Sequence, residues 1–383
     1  MAGQFTLPNK VIFGKEALSA SEAAMKELGK RAFIVTGKII TKSGMVGILT
    51  NYLDQWRIEY EIFNDITGEP TVEMIEAGVK AYQKWNCDFL IAIGGGSPLD
   101  SAKAIAAMTV LPGTISDYMG KEMKGEFPPT VLIPTTAGTG SEATKFTIIT
   151  DTKKNIKMLL KGDDLLPKVA ILDSLLTMSA PAAITAATGM DALTHAVESY
   201  TSRKGNTLTD IYAISAIKRI FRYLPKAYED GSDRRAREEL QIAAFEAGVC
   251  INNASVTLVH GMSRPIGALF HVPHGISNAM LIVECLSYVL EGCYERFATL
   301  AKAIGVAGES TSEGEAAKEF ITALESICRV CQIPTLEEYG IKKEEFEAVI
   351  PKMAEDAMAS GSPGNTIKVV DKEDLIKIYH RLW

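Results

Sequence analysis

Apolar and polar positions along the chain follow two rhythms that change over near residue 179. In the first part, short β-rich apolar runs alternate with stretches of helical period. The runs are 31–36 (RAFIVT, ending at Gly37), 57–63 (RIEYEIF), 88–93 (DFLIAI, stopping at Gly94) and 130–133 (TVLI, ending at Pro134). TIIT and VAILD follow between 146 and 172. Residues 72–85 and 98–108 carry helical periodicity, with Pro98 suited to a first turn. The alternation predicts an α/β domain whose parallel sheet is covered by helices. From Ser179 onward helix-period segments dominate, at 181–201, 207–228, 233–253, 255–269, 276–290 and 294–305. They predict an all-α second domain. The expected division is 1–178 and 179–383, with a loop at 306–315 and no internal repeat.

Composition narrows the class. The chain has 383 residues, 47% hydrophobic and 23% charged, which fits a globular protein and excludes a disordered chain or a disulfide-stapled scaffold. A formal charge of −7 makes nucleic acid an unexpected partner. No apolar run reaches the ~18 residues of a membrane span, and the start MAGQFTLPNK lacks a signal-like apolar stretch. A cytoplasmic protein without membrane contact is expected. The six cysteines read as reduced, mostly buried thiols, and Cys328 and Cys331 form a CxxC with no second pair at zinc-site spacing.

Three stretches carry chemistry. Gly94-Gly95-Gly96-Ser97-Pro98-Leu99-Asp100 lies between a strand end and a helix start. Glycines there let a phosphate approach the backbone, and the helix N-terminus offers free N–H groups. The spacing is not GxGxxG, so a merely tight turn is the alternative. Pro134-Thr135-Thr136-Ala137-Gly138-Thr139-Gly140-Ser141-Glu142 is small and hydroxyl-rich and again follows a strand. It suits ribose or amide contacts, or alternatively a polar helix cap. Asp191 and His195 are i,i+4 in one helix-like run, and His260 and His274 follow in an apolar helical context. Four of only five histidines lie between 195 and 274. A satisfied core histidine is the bland reading of any one. Together with Asp191, three of them offer imidazole and carboxylate ligands for a divalent transition metal, Fe2+ or Zn2+.

These motifs resemble those of the iron-containing (group III) alcohol dehydrogenases. The resemblance begins at Phe5-Thr6-Leu7-Pro8 with Phe13-Gly14 and runs through GGGSPLDSAK, PTTAGTGSEAT, ATGMDALTHAVESY and HGMSRPIGALFHVPHG. It closes weakly at 356–363. It implies an N-terminal dinucleotide-binding domain followed by a helical metal domain, the dehydroquinate synthase-like architecture. It implies metal ligands at Asp191, His195, His260 and His274, which would hold a Lewis acid for hydride transfer between a nicotinamide and an aldehyde or alcohol. It places NAD or NADP contacts at Gly95, Gly96, Ser97, Asp100, Thr135, Thr136 and Ser141, and Lys157 near the nicotinamide ribose. A homodimer or larger homo-oligomer is a further implication.

Two departures bear on specificity. Many NAD-preferring members carry an aspartate after the first strand, where this chain has Gly37 followed by Lys38. NAD against NADP is therefore open. The family often has a histidine four residues after the His260 ligand, where this chain has Arg264. Arginine does not titrate usefully, but it suits a carboxylate or sulfonate on the substrate. Arg264 points to short aldehydes with an anionic tail, such as sulfoacetaldehyde or succinic semialdehyde, a structural pairing with Glu or Asp being the alternative; His271, nearby, is a partial substitute for the missing histidine in the substrate pocket, or else a surface residue. The competing readings are a non-redox metal lyase on the same scaffold and a binding protein braced by its metal.

Overall fold

The structure is a computed structural model that describes residues 3–154 and 156–383. It divides into two compact units, Thr6–Ser179 and Ala180–Trp383, the second joined by the chain start up to Phe5. The division falls one residue beyond the expected one. The chain start belongs with the second unit because the Phe5 ring stacks on Tyr212 at 6.0 Å.

The first unit contains β1 (Lys10–Phe13), β2 (Arg31–Val35), β3 (Glu59–Phe63), β4 (Phe89–Gly94), β5 (Thr130–Pro134), β6 (Phe146–Asp151), β7 (Ile156–Lys161) and β8 (Val169–Leu172). Its helices are α1 (Glu22–Lys26), α2 (Lys38–Lys42), α3 (Met45–Trp56), α4 (Val72–Trp85) and α5 (Gly96–Met108). Six strands form one sheet in the order β1-β8-β5-β4-β2-β3, every neighbouring pair parallel. Strand alternation explains the two apolar faces. Phe33, Val35, Leu90, Ala92 and Leu132 pack with residues of α4 and α5, while Ala32, Ile34, Phe89, Ile91, Ile93, Val131 and Ile133 pack with α1 and α3. With both faces covered, the central strands are apolar throughout, as the unbroken runs of the sequence require.

The sheet order fixes where a ligand can sit. From β2 the chain runs outward to β3, then returns to place β4 on the other side of β2. Connections thus diverge between β2 and β4, and a crevice opens outside their carboxyl ends. Gly37 ends the β2 side and Gly95 the β4 side. The Thr36 hydroxyl ties the two strand ends together by donating to the Ile93 carbonyl at 2.8 Å. The remaining strands, β6 and β7, form an antiparallel hairpin that the sequence pattern does not announce.

The second unit is helical: α6 (Ala182–Tyr200), α7 (Thr207–Glu229), α8 (Arg234–Asn253), α9 (Leu258–Phe270), α10 (His274–Val289), α11 (Tyr294–Ile304), α12 (Glu313–Val330), α13 (Lys343–Ala359) and α14 (Lys372–His380). The expected loop at 306–315 ends early, because Ser312 caps α12 by accepting from the Glu315 N–H. From Thr185 to Tyr200, α6 is buried on nearly every side, which marks it as the central helix. Small residues permit close neighbours. A Cβ at Gly275 would lie 2.4 Å from the Ala187 carbonyl oxygen, so α10 meets α6 backbone to backbone. No single helix among the described residues is long and apolar enough to cross a membrane.

Candidate metal centre and nucleotide-binding loops

Three helices bring the four proposed ligands together. Asp191 and His195 lie one turn apart on α6, His260 sits in the first turn of α9, and His274 opens α10. One ligand atom from each lies within 4.8 Å of all the others. Asp191 Oδ1 is 3.8 Å from His195 Nε2 and 3.7 Å from the Nε2 atoms of both His260 and His274. Close approach of α10 to α6 at Gly275 sets His274 beside Asp191.

The donor set fits a first-row divalent ion. Three imidazole nitrogens and one carboxylate oxygen are borderline donors suited to Fe2+ or Zn2+. Their lone pairs converge: the Asn278 amide Nδ2 donates to Asp191 Oδ1 at 2.7 Å and lies 3.2 Å from Nε2 of His260 and of His274. Two buried polar atoms here, His195 Nδ1 and Asn278 Oδ1, have no hydrogen-bond partner among the described residues. Burial by itself would raise the Asp191 carboxyl, but the imidazoles of His195, His274 and His260 outweigh it and hold the group below its usual range. Burial, reinforced by the neighbouring imidazoles, pushes His260 well below its ordinary 6.5, into the neutral form that binds metal.

Glu198 belongs to this centre and is absent from the sequence reading. It is fully buried on the same face of α6, and its Oε2 lies 2.5 Å from His260 Nδ1. Its Oε1 accepts from the Thr257 hydroxyl at 2.7 Å and the Val259 N–H at 2.5 Å. The signal was available: Glu198 is i+7 from Asp191, the next position of the ligand stripe.

Arg264 is one turn beyond His260 on α9, partly buried. Its guanidinium donates to Ser362 Oγ at 3.0 Å and has no carboxylate within 4.0 Å among the described residues. Ser362 lies where the chain crosses α9 tightly, since a Cβ at Gly261 would meet Pro363 at 2.7 Å. His271 stands apart from the cluster. It is exposed at the C-cap of α9 with φ +54°, where the chain turns left-handed before Pro273.

In the first unit, the two small-residue loops meet. Thr135 N–H donates to the Gly94 carbonyl at 2.8 Å. Cβ atoms at Gly95 and Gly96 would point at Thr136 and Thr139, the latter at 2.8 Å from its hydroxyl. Gly95 caps α5, leaving the N–H groups of Gly96 and Ser97 at an open helix start. Asp100 and Ser141 hold one another instead of standing free: Ser141 Oγ donates to Asp100 Oδ1 at 2.5 Å, and Ile148 N–H donates to Oδ2 at 2.9 Å. Lys103, fully buried below them, donates to the carbonyls of Ser141 at 2.9 Å and of Phe146. Lys157 on β7 pairs with Glu69 at 2.6 Å. Gly37 touches backbone, a Cβ there lying 2.7 Å from the Ile66 carbonyl oxygen. Lys38 Nζ is 3.6 Å from Asp65.

Comparison with known proteins agrees with this arrangement. The profile described as "Iron-containing alcohol dehydrogenase" matches residues 8–174, and that described as "Fe-containing alcohol dehydrogenase family, C-terminal" matches 185–383. The chain belongs to the iron-containing alcohol dehydrogenase family and is an oxidoreductase. It is 35% identical over 377 residues to the NAD-dependent methanol dehydrogenase of Bacillus methanolicus, covering 98% of each chain. The crystal structure of a 1,3-propanediol oxidoreductase superposes with a TM-score of 0.96 at 35% identity, over 100% of both chains. That of sulfoacetaldehyde reductase from Bifidobacterium kashiwanohense, in complex with NAD+, gives 0.88 at 28% identity, over 100% of this chain and 99% of that one.

Proposed function

We propose that this chain interconverts short aldehydes bearing an anionic tail with their alcohols, sulfoacetaldehyde and succinic semialdehyde being the expected kind of substrate. The observation that carries the reading is the Arg264 guanidinium, partly buried one turn from His260, with the Ser362 hydroxyl as its hydrogen-bond partner and no carboxylate within 4.0 Å among the described residues. A guanidinium keeps its charge at any working pH and matches carboxylate or sulfonate oxygens two at a time. Resemblance to a sulfoacetaldehyde reductase supports the same class.

Asp191, His195, His260 and His274 would hold Fe2+ or Zn2+. When bound, the cation supplies Lewis-acid polarisation of a carbonyl oxygen. Gly95, Gly96 and Ser97 would receive the pyrophosphate of the nicotinamide cofactor at the start of α5. Thr135 and Thr136 would flank it. Asp100 and Ser141 would act by fixing that loop, and Lys157 would meet the nicotinamide ribose from β7. Gly37 itself carries no carboxylate to repel a 2′-phosphate, while Lys38 beside it is paired with Asp65, so the cofactor is NAD or NADP and the panel is run with both. All six cysteines are free thiols, which supports a reducing, cytoplasmic setting. We assign a homodimer or larger homo-oligomer, which sedimentation would measure.

The test is metal-loaded protein with NADH and NADPH against a panel of neutral and anionic aldehydes, followed at 340 nm, for the parent and Arg264→Leu. The expected result is a loss of kcat/KM confined to the anionic members, ~10²-fold for a buried charge-assisted pair. Equal loss on both sets would remove the anionic-tail assignment. Metal-dependent turnover without any change at 340 nm would favour a lyase instead.

A further inference from the structure

Glu198 is a carboxylate sealed inside the helical unit without a lysine or arginine within 4.0 Å among the described residues; its one ion-pair partner is His260. Such a group is expensive to bury, and a neutral or apolar side chain would ordinarily replace it. Its surroundings explain what the charge does. Three donors converge on it: the Thr257 hydroxyl and Val259 N–H on Oε1, and the His260 ring on Oε2. An ionised carboxylate only accepts, so it serves all three at once. A glutamine in the same place would turn an N–H2 toward one of these donors.

We propose that Glu198 is the positioning residue of the metal centre: it fixes the His260 ring with the proton on Nδ1 and the lone pair on Nε2, aimed at Asp191 and His274. This rests on the four-residue cluster being the metal site. Nε2 is the ring atom turned toward the cluster, 3.7 Å from Asp191 Oδ1, so a His260 that binds metal there carries its hydrogen on Nδ1, and Oε2 at 2.5 Å is placed to accept it. The Val259 N–H, a backbone donor on Oε1, keeps the carboxylate from turning, and through it the imidazole is held in plane. A carboxylate behind a ligand histidine also raises the basicity of the ring.

The experiment uses Zn2+ as probe, with affinity measured by competition against a chelating dye for the metal-stripped parent, Glu198→Gln, Thr257→Val and His195→Ala. Long-range 1H–15N correlation reads the His260 tautomer in the stripped parent, and circular dichroism reads folding. Glu198→Gln should keep the helical signal and lose ~10–100-fold in Zn2+ affinity. Thr257→Val, which cuts a contact to the carboxylate but not to the ring, should stay within ~3-fold of the parent. The stripped parent should show His260 protonated on Nδ1. Unchanged affinity in Glu198→Gln, an equal loss in Thr257→Val, or an Nε2-protonated His260 in the parent would each overturn the assignment. The tautomer measurement stands even if Glu198→Gln fails to fold. Failure of the underlying metal site looks different: parent and His195→Ala would then bind Zn2+ equally weakly.

Discussion

The hydroxyl of Ser141 donates to the carboxylate of Asp100 across 2.5 Å, joining the loop after β5 to the helix after β4. With Ile148 N–H on its other oxygen, Asp100 has both oxygens engaged inside the protein. In the cofactor role proposed for this loop, Asp100 would act through the loop's shape. Asp100→Asn turns one acceptor into a donor and should cost about 1–3 kcal/mol of stability. It should raise KM for the nicotinamide more than it lowers kcat. Denaturant titration together with initial rates at varied cofactor separates the two effects; an unchanged KM beside the stability loss would make the contact purely structural.

A pH dependence follows from Glu142, the neighbour of Ser141. Burial pushes its carboxyl up to about 7, against a weaker opposing pull from its own N–H and from Lys103, and its Oε2 has no hydrogen-bond partner among the described residues. The folded protein thus holds this proton more tightly than the unfolded chain does. The associated stability is complete below pH ~4.5 and is lost as the pH rises toward ~7, on the order of 3 kcal/mol in all. Lys103, pushed below its ordinary 10.5 by burial, works in the opposite direction. Glu142→Gln should flatten the decline between pH 5 and 7, as measured by urea midpoints at both values. A variant with the parent's slope would show that Glu142 is not its source.

Metal and folding should be coupled, though not so strongly that the stripped chain unfolds. The proposed ligands sit on α6, α9 and α10, whose apolar side chains, Leu193, Val259 and Ile282 among them, are fully buried. Removing the ion with a chelator should abolish turnover while leaving the helical signal. Restoring Zn2+ at a hundredfold excess over its dissociation constant should stabilise the protein by about 2.7 kcal/mol, visible as a higher melting temperature. His195→Ala should lose that increment. Should the increment survive in the variant, the ion is bound elsewhere.

Gly275 gives a test that touches no ligand side chain. Any Cβ there meets the Ala187 carbonyl oxygen at 2.4 Å, a backbone contact that cannot rotate away. Gly275→Ala should push α10 from α6, costing about 1–3 kcal/mol and carrying His274 away from Asp191. Zn2+ affinity should fall by at least ~10-fold. Parent-like affinity would show that the helices do not set the ligand spacing.

Much of this was legible in the sequence because the signals were local. The helix at 72–85 coincides with α4, since Thr71 caps it and the left-handed Asn86 ends it. The apolar runs of β2, β4 and β5 are unbroken because both faces of those strands are covered. The four candidate ligands stand out by histidine scarcity and an i,i+4 pair, with the family resemblance behind them, and the fold brings the four together. What escaped was settled by tertiary contacts. β1 is a four-residue edge strand, too short for a periodic signal. Glu198 looked like any glutamate on a helix until three donors closed around it. Asp100 and Ser141 stand in motifs that point to a cofactor, and only the fold shows that they bond to each other.

The main-chain contact at Gly37 has a consequence for anyone redesigning this protein. Restoring the acidic side chain that excludes a 2′-phosphate would look like a one-codon change, but a Cβ at this site lies 2.7 Å from the Ile66 carbonyl oxygen. The peptide leaving β3 would have to be rebuilt in the same step. A library that varies position 37 alone would therefore meet a main-chain obstacle at every non-glycine residue, and pairing it with changes around Ile66 would relieve it.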